Sequence, residues 1–336
     1  MAHHLRVGVI GAGRAGLIHA RAFAWRVANA QLVALSDPSP QARASAQKEF
    51  GVPVFPTHTE LLDSGVDAVV VVTPTKFHRD IVCEAAAAGK HVLCEKPMAM
   101  DASECEDMIA ATDAAGVKLQ IGFMRRFDAG HRRAKAALEA GQIGEVVSVT
   151  TLTHGPSIPH PWMYDLSASN GPLAEVSSHD IDMLRWLTGS EVVELQAFGG
   201  NYRSADALAE FPDFYDTFLL NARFASGALG HINGAQGVRY GYDSRVEIHG
   251  THGRIDIGGL AADRVVVHKA EGTSEQSIVD SWRTLYRDAY VAEDSAFATA
   301  IADDSQPLVT GRDGLAAVRI VNAGNAAIAS GHIQRL

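Results

Sequence analysis

The chain has 336 residues, 47% hydrophobic and 20% charged, with a formal net charge of −10. It is too long for one ordinary core, so two domains are predicted, and its acidic balance excludes a nucleic-acid partner, which needs a basic face. No apolar run approaches the roughly 20 residues that span a bilayer, and the start, Met1 to Arg6, leads straight into a strand without a signal-type apolar stretch, which predicts a cytoplasmic protein with no membrane partner.

Strand-like runs at Leu5–Ile10, Gln31–Ser36, Ala68–Val72, His91–Cys94 and Val117–Ile121 alternate with helical stretches near Arg14–Val27, Pro40–Phe50, Thr59–Ser64, His78–Ala88 and Ala102–Ala115. The continuously apolar run Val69 to Val72 suits a strand covered on both faces. This alternation predicts a doubly wound parallel sheet, a Rossmann domain over 1–122. Beyond it come a helix near Arg132–Ala140, a strand at Glu145–Thr153, a Pro-rich loop and a helix through Trp186. Strand candidates then follow in succession at Val192–Gly199, Phe214–Phe224, Ala228–Gly234, Ser244–Ile248 and Arg254–Ile257, before helices near Arg283–Ala302 and Leu315–Ala329. The class is therefore α/β then α+β, with an open, mainly antiparallel sheet in a second domain over 123–336.

The string Gly11-Ala12-Gly13-Arg14-Ala15-Gly16 sits between the first strand and the first helix. Gly11 permits the tight turn, Gly13 lets the backbone approach a pyrophosphate, and Gly16 lets helix and strand pack closely. Arg14 and Ala15 open the helix, whose N-terminal N–H groups favour phosphate. The second strand ends at Asp37, about twenty residues on, where a carboxylate accepts both adenosine ribose hydroxyls and repels a 2′-phosphate. The cofactor predicted is NAD rather than NADP, with Arg43 nearby as the one group able to reach a phosphate. Thr73, Pro74 and His78 follow the next long strand and fall on the ribose–pyrophosphate side.

Glu95-Lys96-Pro97 places a cation at the carboxyl end of a strand, the edge where open α/β sheets bind ligands. Oxidising a carbinol requires a base for the hydroxyl proton and positive charge near the developing alkoxide. Lys96 supplies the charge. In the second half, Glu175, His179 and Asp182 recur at i, i+4 and i+7 and share one face if Glu175 to Trp186 is a single helix. Cys83, Cys94 and Cys105 form no Cys-x-x-Cys or Cys/His cluster, so neither a metal site nor disulfides are expected.

With Gly122-Phe123-Met124-Arg125-Arg126-Phe127-Asp128, Tyr240-Gly241-Tyr242-Asp243, Asp288-Ala289-Tyr290 and Val309 to Gly314, these motifs resemble the Gfo/Idh/MocA oxidoreductase family over nearly the whole chain, most of all its inositol 2-dehydrogenase branch. The resemblance implies that Lys96 contacts the substrate oxygen and the nicotinamide, and that His179 is the acid/base. Glu175 would bind substrate or orient the other two. Glu95 joins the cofactor-binding set, and Arg126, Trp162, Asp182 and Tyr242 would contact a cyclitol or sugar. It further implies a homodimer or homotetramer built on the exposed face of the second sheet. Two departures stand out: the branch usually carries Asp where this chain has Glu175, and Arg-Asp-Pro where it has His154-Gly155-Pro156. Reduction of a keto-sugar, and a nucleotide-sensing protein without turnover, stand as alternative activities.

Overall fold

The computed structural model describes residues 4–336; Met1, Ala2 and His3, which open the start expected to carry no signal-type stretch, lie outside the described residues. The first unit comprises the chain to Asp128 together with Asp288–Val318. It contains β1 (Leu5–Ile10), α1 (Arg14–Trp25), β2 (Ala30–Ser36), α2 (Pro40–Phe50), β3 (Val54–Phe55), α3 (His58–Leu62), β4 (Ala68–Val71), α4 (His78–Ala87), β5 (His91–Glu95), α5 (Ala102–Ala115) and β6 (Leu119–Gly122). The six strands are parallel, in the order β3-β2-β1-β4-β5-β6. That is the doubly wound order whose direction reverses at β1 and β4. All four residues of β4 are buried, as its unbroken apolar run requires. The two-residue strand β3 is the one element of this sheet that the apolar pattern does not signal.

The second unit holds α6 (Ala129–Glu139), β7 (Val146–Gly155), α7 (Leu166–Ser169), α8 (Gly171–Glu175), α9 (Ser178–Thr188), β8 (Val192–Gly200), β9 (Thr217–Phe224), β10 (Leu229–Gln236), β11 (Asp243–Gly250), β12 (Arg254–Gly258), β13 (Ala261–His268), β14 (Ser274–Ile278) and α10 (Trp282–Leu285). Its seven-stranded sheet runs β12-β11-β7-β10-β9-β8-β15, with β15 at Gln334–Arg335. Every pair is antiparallel except β7 with β10, so the sheet is mixed but mainly antiparallel. Buried and exposed residues alternate along β9, the signature of a sheet covered on one face. The hairpin β13–β14 forms its own two-stranded sheet and is exposed throughout.

The compact units depart from a division at residue 122. Helix α11 (Arg287–Ala302) belongs to the first unit apart from its first residue, and α12 (Gly311–Ser330) begins there and ends in the second. The reason is packing: Phe297 and Ala298 of α11 lie in the same core as Phe23 of α1, Val7 and Val9 of β1 and Val70 of β4. A buried Phe contributes roughly 2–3 kcal/mol through its apolar surface, so α11 is an integral part of this domain although it arrives 165 residues after β6.

Candidate active site

Gly11 leaves β1 at φ +104°, and a Cβ there would lie 2.6 Å from the Val72 carbonyl oxygen, so only glycine fits the turn. At Gly16 a Cβ would lie 1.9 Å from the Gly11 carbonyl oxygen, which fixes the close approach of α1 to the loop. Gly13, the N-cap of α1, differs: nothing lies within 4 Å of its missing Cβ, and no side chain caps the helix. The loop is thus sealed by two glycines and open at the third, a cradle that fits a pyrophosphate over the α1 N–H groups. The Asp37 carboxylate stands beside it, accepting the Ala12 N–H at 2.9 Å through Oδ2 and the Ser39 N–H at 2.8 Å through Oδ1. Arg43 donates from Nη1 to the carbonyls of Asp37 and Pro38, both at 2.9 Å, so it is committed to the backbone at the end of β2. Gly11, Ala12, Gly13, Arg14, Ala15 and Asp37 are the residues that would hold NAD here.

At the next two strand ends, His78 is buried between carbonyls, with Nε2 2.8 Å from Thr73 O and Nδ1 2.9 Å from Pro97 O. Burial lowers its pKa while the carbonyls pull it upward. A neutral ring donates to one of them at a time, and either bond ties the loop after β4 to the loop after β5. His78 is therefore an internal strut beneath Thr73 and the exposed Pro74 rather than a surface contact. Glu95 is 5% exposed. Its Oε2 accepts the Lys96 N–H at 2.9 Å, and its Oε1 lies 3.2 Å from His19 Nε2. The Lys96–Pro97 peptide is cis and Lys96 is half-buried. The carboxyl edge of one parallel sheet thus presents Asp37 at β2 and Lys96 at β5.

Behind Glu95 lies a cluster that a search for cysteines does not reveal. His19 Nδ1 is 2.7 Å from Asp294 Oδ1, and His19, Glu293 and Asp294 bring ligand-type atoms within 4.8 Å of one another, all buried. A His ligand turns a bare nitrogen to its metal, whereas both nitrogens of His19 face carboxylate oxygens at hydrogen-bond distance. The arrangement places the imidazole between two acids. Desolvation alone would lower the His19 pKa, but the charge and hydrogen bond of Asp294, with those of Glu95, raise it well above the ordinary value.

In the second unit, Glu175 and His179 do not share one helix. Helix α8 ends at Glu175, Val176 and Ser177 intervene, and α9 starts at Ser178. The break is local chemistry: Ser177 Oγ donates to Asp180 Oδ2 at 2.7 Å, and Thr153 Oγ1 of β7 donates to Asp180 Oδ1 at 2.9 Å. A Ser three residues before an Asp competes with continued helix in this way, and Asp180 falls in the favourable first turn of α9. The start of α8 is pinned as well. Asn170, at φ +58°, is held through its carbonyl by Asn325 Nδ2 at 2.9 Å, and Asn325 accepts from Tyr215 at 2.6 Å. His179 and Asp182 remain on α9, 6% and 0% exposed, while Glu175 is half-buried. Neither Asp180 nor Thr153 stands out in the sequence, although the Ser-x-x-Asp spacing is a capping signal.

Of the remaining candidate contacts, Arg126 lies in a turn of the first unit, 5% exposed, with Nη2 2.9 Å from Asp313 Oδ1. Asp313 also accepts the Thr310 N–H and hydroxyl. Burial would raise its pKa, but the Arg126 charge and these bonds hold it below the ordinary carboxylate range. Arg126 is thus a bracing residue of that turn. Trp162 is 43% exposed in the turn Pro161–Met163, and Tyr242, 6% exposed, packs beside Gly155. At the departure His154-Gly155-Pro156, the His154 ring bonds Asn233 Oδ1 at 2.9 Å through Nε2 and the Tyr240 hydroxyl through Nδ1.

Sheet order, glycine cradle and the carboxylate that follows β2 define a dinucleotide-binding Rossmann protein with a second, sheet-based domain. Residues 5–123 match the oxidoreductase family, NAD-binding Rossmann fold, and residues 131–256 match the GFO/IDH/MocA C-terminal domain. An inositol 2-dehydrogenase of Rhizobium meliloti is 33% identical over 319 residues, 95% of each chain. The scyllo-inositol 2-dehydrogenase (NAD(+)) of Bacillus subtilis is 33% identical, over 93% of this chain and 91% of that one. The solved structure of scyllo-inositol dehydrogenase from Lactobacillus casei with bound NAD(H) and scyllo-inositol superposes with a TM-score of 0.90, at 27% identity over 99% of each chain. The chain belongs to the Gfo/Idh/MocA oxidoreductase family, and residues 5–123 are its NAD-binding Rossmann domain.

Proposed function

We propose that the protein is an NAD-dependent dehydrogenase that oxidises a ring hydroxyl of a cyclitol, an inositol isomer above all, to the ketone. The observation that carries this reading is the single sheet edge bearing both Asp37, tied to the glycine cradle, and Lys96. Inositol dehydrogenases among its relatives support the substrate class. NAD, held by Gly11, Gly13, Arg14, Ala15 and Asp37, would supply the hydride-accepting chemistry that oxidation of a carbinol needs. His179 takes the hydroxyl proton at a ring nitrogen, Lys96 brings an ammonium to the oxygen that gains negative charge, and Glu175 orients the reacting groups. Tyr242 and Trp162 contribute to ring recognition.

The first unit binds cofactor, and the second binds substrate and builds a cytoplasmic homo-oligomer. No helix among the described residues is long and apolar enough to cross a membrane. On the open face of the second sheet, Phe198 of β8 pairs with Leu219 of β9 at 56% and 41% exposure, and Leu229 of β10, 50% exposed, lies opposite Arg223 further along β9. Such a patch marks an interface. Light scattering is expected to give the mass of two or four chains; a single-chain mass would overturn the oligomer.

The activity is tested by following NAD reduction at alkaline pH over inositol isomers and common aldoses. One or more inositols should be oxidised fastest. Lys96→Ala and His179→Ala are each expected to lower turnover by at least about a hundredfold, with NAD affinity nearly unchanged. Full turnover in either variant would remove that residue from the mechanism.

A further inference from the structure

The cluster behind Lys96 contains groups that the proposed chemistry does not use. His19 of α1 and Asp294 of α11 are both fully buried, and burying ionisable groups is costly unless they are paired. They occupy core positions of their helices. Gly16, His19, Ala20 and Phe23 form the buried stripe of α1, and Tyr290, Glu293, Asp294, Phe297 and Ala298 that of α11. An apolar residue at each would complete the packing, so the charged residues have another task.

The geometry shows the task. From Asp294 Oδ1 to His19 Nδ1 is 2.7 Å, from His19 Nε2 to Glu95 Oε1 is 3.2 Å, and from the Lys96 N–H to Glu95 Oε2 is 2.9 Å. These links run unbroken from the interior of α11 to the backbone of Lys96. Space is reserved for them: a Cβ at Gly122, the last residue of β6, would lie 3.0 Å from Glu95 Cδ and 3.1 Å from its Cα. The Tyr290 ring stands nearly perpendicular to that of His19, with centroids 5.2 Å apart, and limits the ways the imidazole can turn.

We propose that His19 is a positioning residue for Lys96, acting through the Glu95 carboxylate, with Asp294 holding the far side of the ring. Each ring nitrogen donates to one acid, so Glu95 has one oxygen committed to His19 and the other to the Lys96 amide. The negative charge of Glu95, one residue from the lysine, is balanced inside the core. The raised pKa of His19 fits a ring that stays protonated at neutral pH. This inference rests on the reading of Lys96 as the residue that stabilises the alkoxide.

The test compares His19→Gln, Glu95→Gln, Glu95→Ala and Lys96→Ala in the full-length protein, with NAD and the inositol that the screen selects. His19→Gln keeps a single amide to face Glu95. It is expected to lower kcat about tenfold or more, in line with the cost of small displacements at a reacting centre, and to leave the KM for NAD within about twofold. Glu95→Gln retains an acceptor for the Lys96 N–H and should keep several times the kcat of Glu95→Ala; a merely structural role would not produce that ordering at equal thermal stability. A second readout needs no turnover: the rate of Lys96 acetylation across pH, measured by mass spectrometry against exposed Lys48. His19→Gln should shift that profile for Lys96 and leave Lys48 unmoved. Unchanged kcat and an unchanged Lys96 profile in folded His19→Gln would overturn the proposal. So would a stoichiometric divalent metal that copurifies with the protein and is lost in His19→Gln. Full turnover in Lys96→Ala would instead remove the catalytic reading, and the acetylation profile would still decide whether His19 positions the lysine.

Discussion

At the carboxyl end of β5, Lys96 hangs from an amide bonded to a buried carboxylate, which a buried histidine bridges to a second acid. At the α8–α9 corner, His179 follows a helix break set by two hydroxyls that converge on Asp180. Both devices hold a side chain proposed to be catalytic beside irregular backbone, and both rest on a carboxylate. They differ in the donor. A serine or threonine hydroxyl carries no charge to lose, so the α8–α9 corner keeps its donors at any working pH. An imidazolium can lose its proton, so the hold on Lys96 depends on conditions as well as on sequence. Rigid presentation and conditional presentation coexist in one chain.

The larger effect is expected at the hydroxyl-held corner. Asp180→Ala leaves the Ser177 and Thr153 hydroxyls without their buried acceptor, at about 1–3 kcal/mol each. The chain should lose roughly 3 kcal/mol of stability in urea unfolding, and kcat should fall about tenfold or more as Glu175 and His179 lose their spacing. Asp180→Asn keeps one acceptor oxygen and should fall between Asp180→Ala and the unaltered chain on both measures. If Asp180→Ala is destabilised while kcat per folded molecule is unchanged, the corner is scaffolding and the comparison with β5 collapses.

The two regions also differ in how far the sequence discloses them. Period and turn chemistry make the first sheet legible: β1, α2 and α5 coincide with the runs read from the chain, and Gly11 and Asp37 take the positions the fingerprint assigns. The α8–α9 break is masked because Leu173, Val176, Ile181 and Leu184 keep helical spacing across it, and of the two bonds to Asp180 at the break, the one from Ser177 is a single local contact and the one from Thr153 is long-range. The hairpin β13–β14 lacks strong alternation, and its residues are exposed on both faces, so no buried stripe announces it. Helix α11 is read as a helix, but its docking into a core begun 280 residues earlier, at Val7, is a long-range event that local pattern does not encode. The visible trace of the cluster behind Lys96 is chemical: charged residues stand at core-stripe positions, His19 between Gly16 and Phe23, and Glu293 and Asp294 between Tyr290 and Phe297.

The smaller effect sharpens the comparison through pH. The folded-state pKa of His19 is raised, so the stability it contributes is fully present below the ordinary value of about 6.5 and is lost as pH rises toward the folded value. Asp294 acts in the same direction. Desolvation raises its pKa and the charge of Glu95 adds to this, while His19 opposes both, so its ionisation also weighs against the fold as pH rises. The groups that face the ring are Glu95 from β5 and Tyr290, Glu293 and Asp294 from α11. The unfolding free energy of the unaltered chain, from urea titrations, should fall from pH 6.5 upward, by about 1.4 kcal/mol for each unit between the unfolded and folded His19 values. His19→Gln should flatten that limb, and Asp180→Asn, which touches no histidine of this cluster, should lower the same limb without flattening it. His78, whose pKa is lowered, acts below pH 6.5 in all three proteins and cancels in the difference. Parallel curves for the unaltered chain and His19→Gln would mean that the ring between Asp294 and Glu95 is neutral, and the contrast between a conditional and a rigid hold would then have no basis.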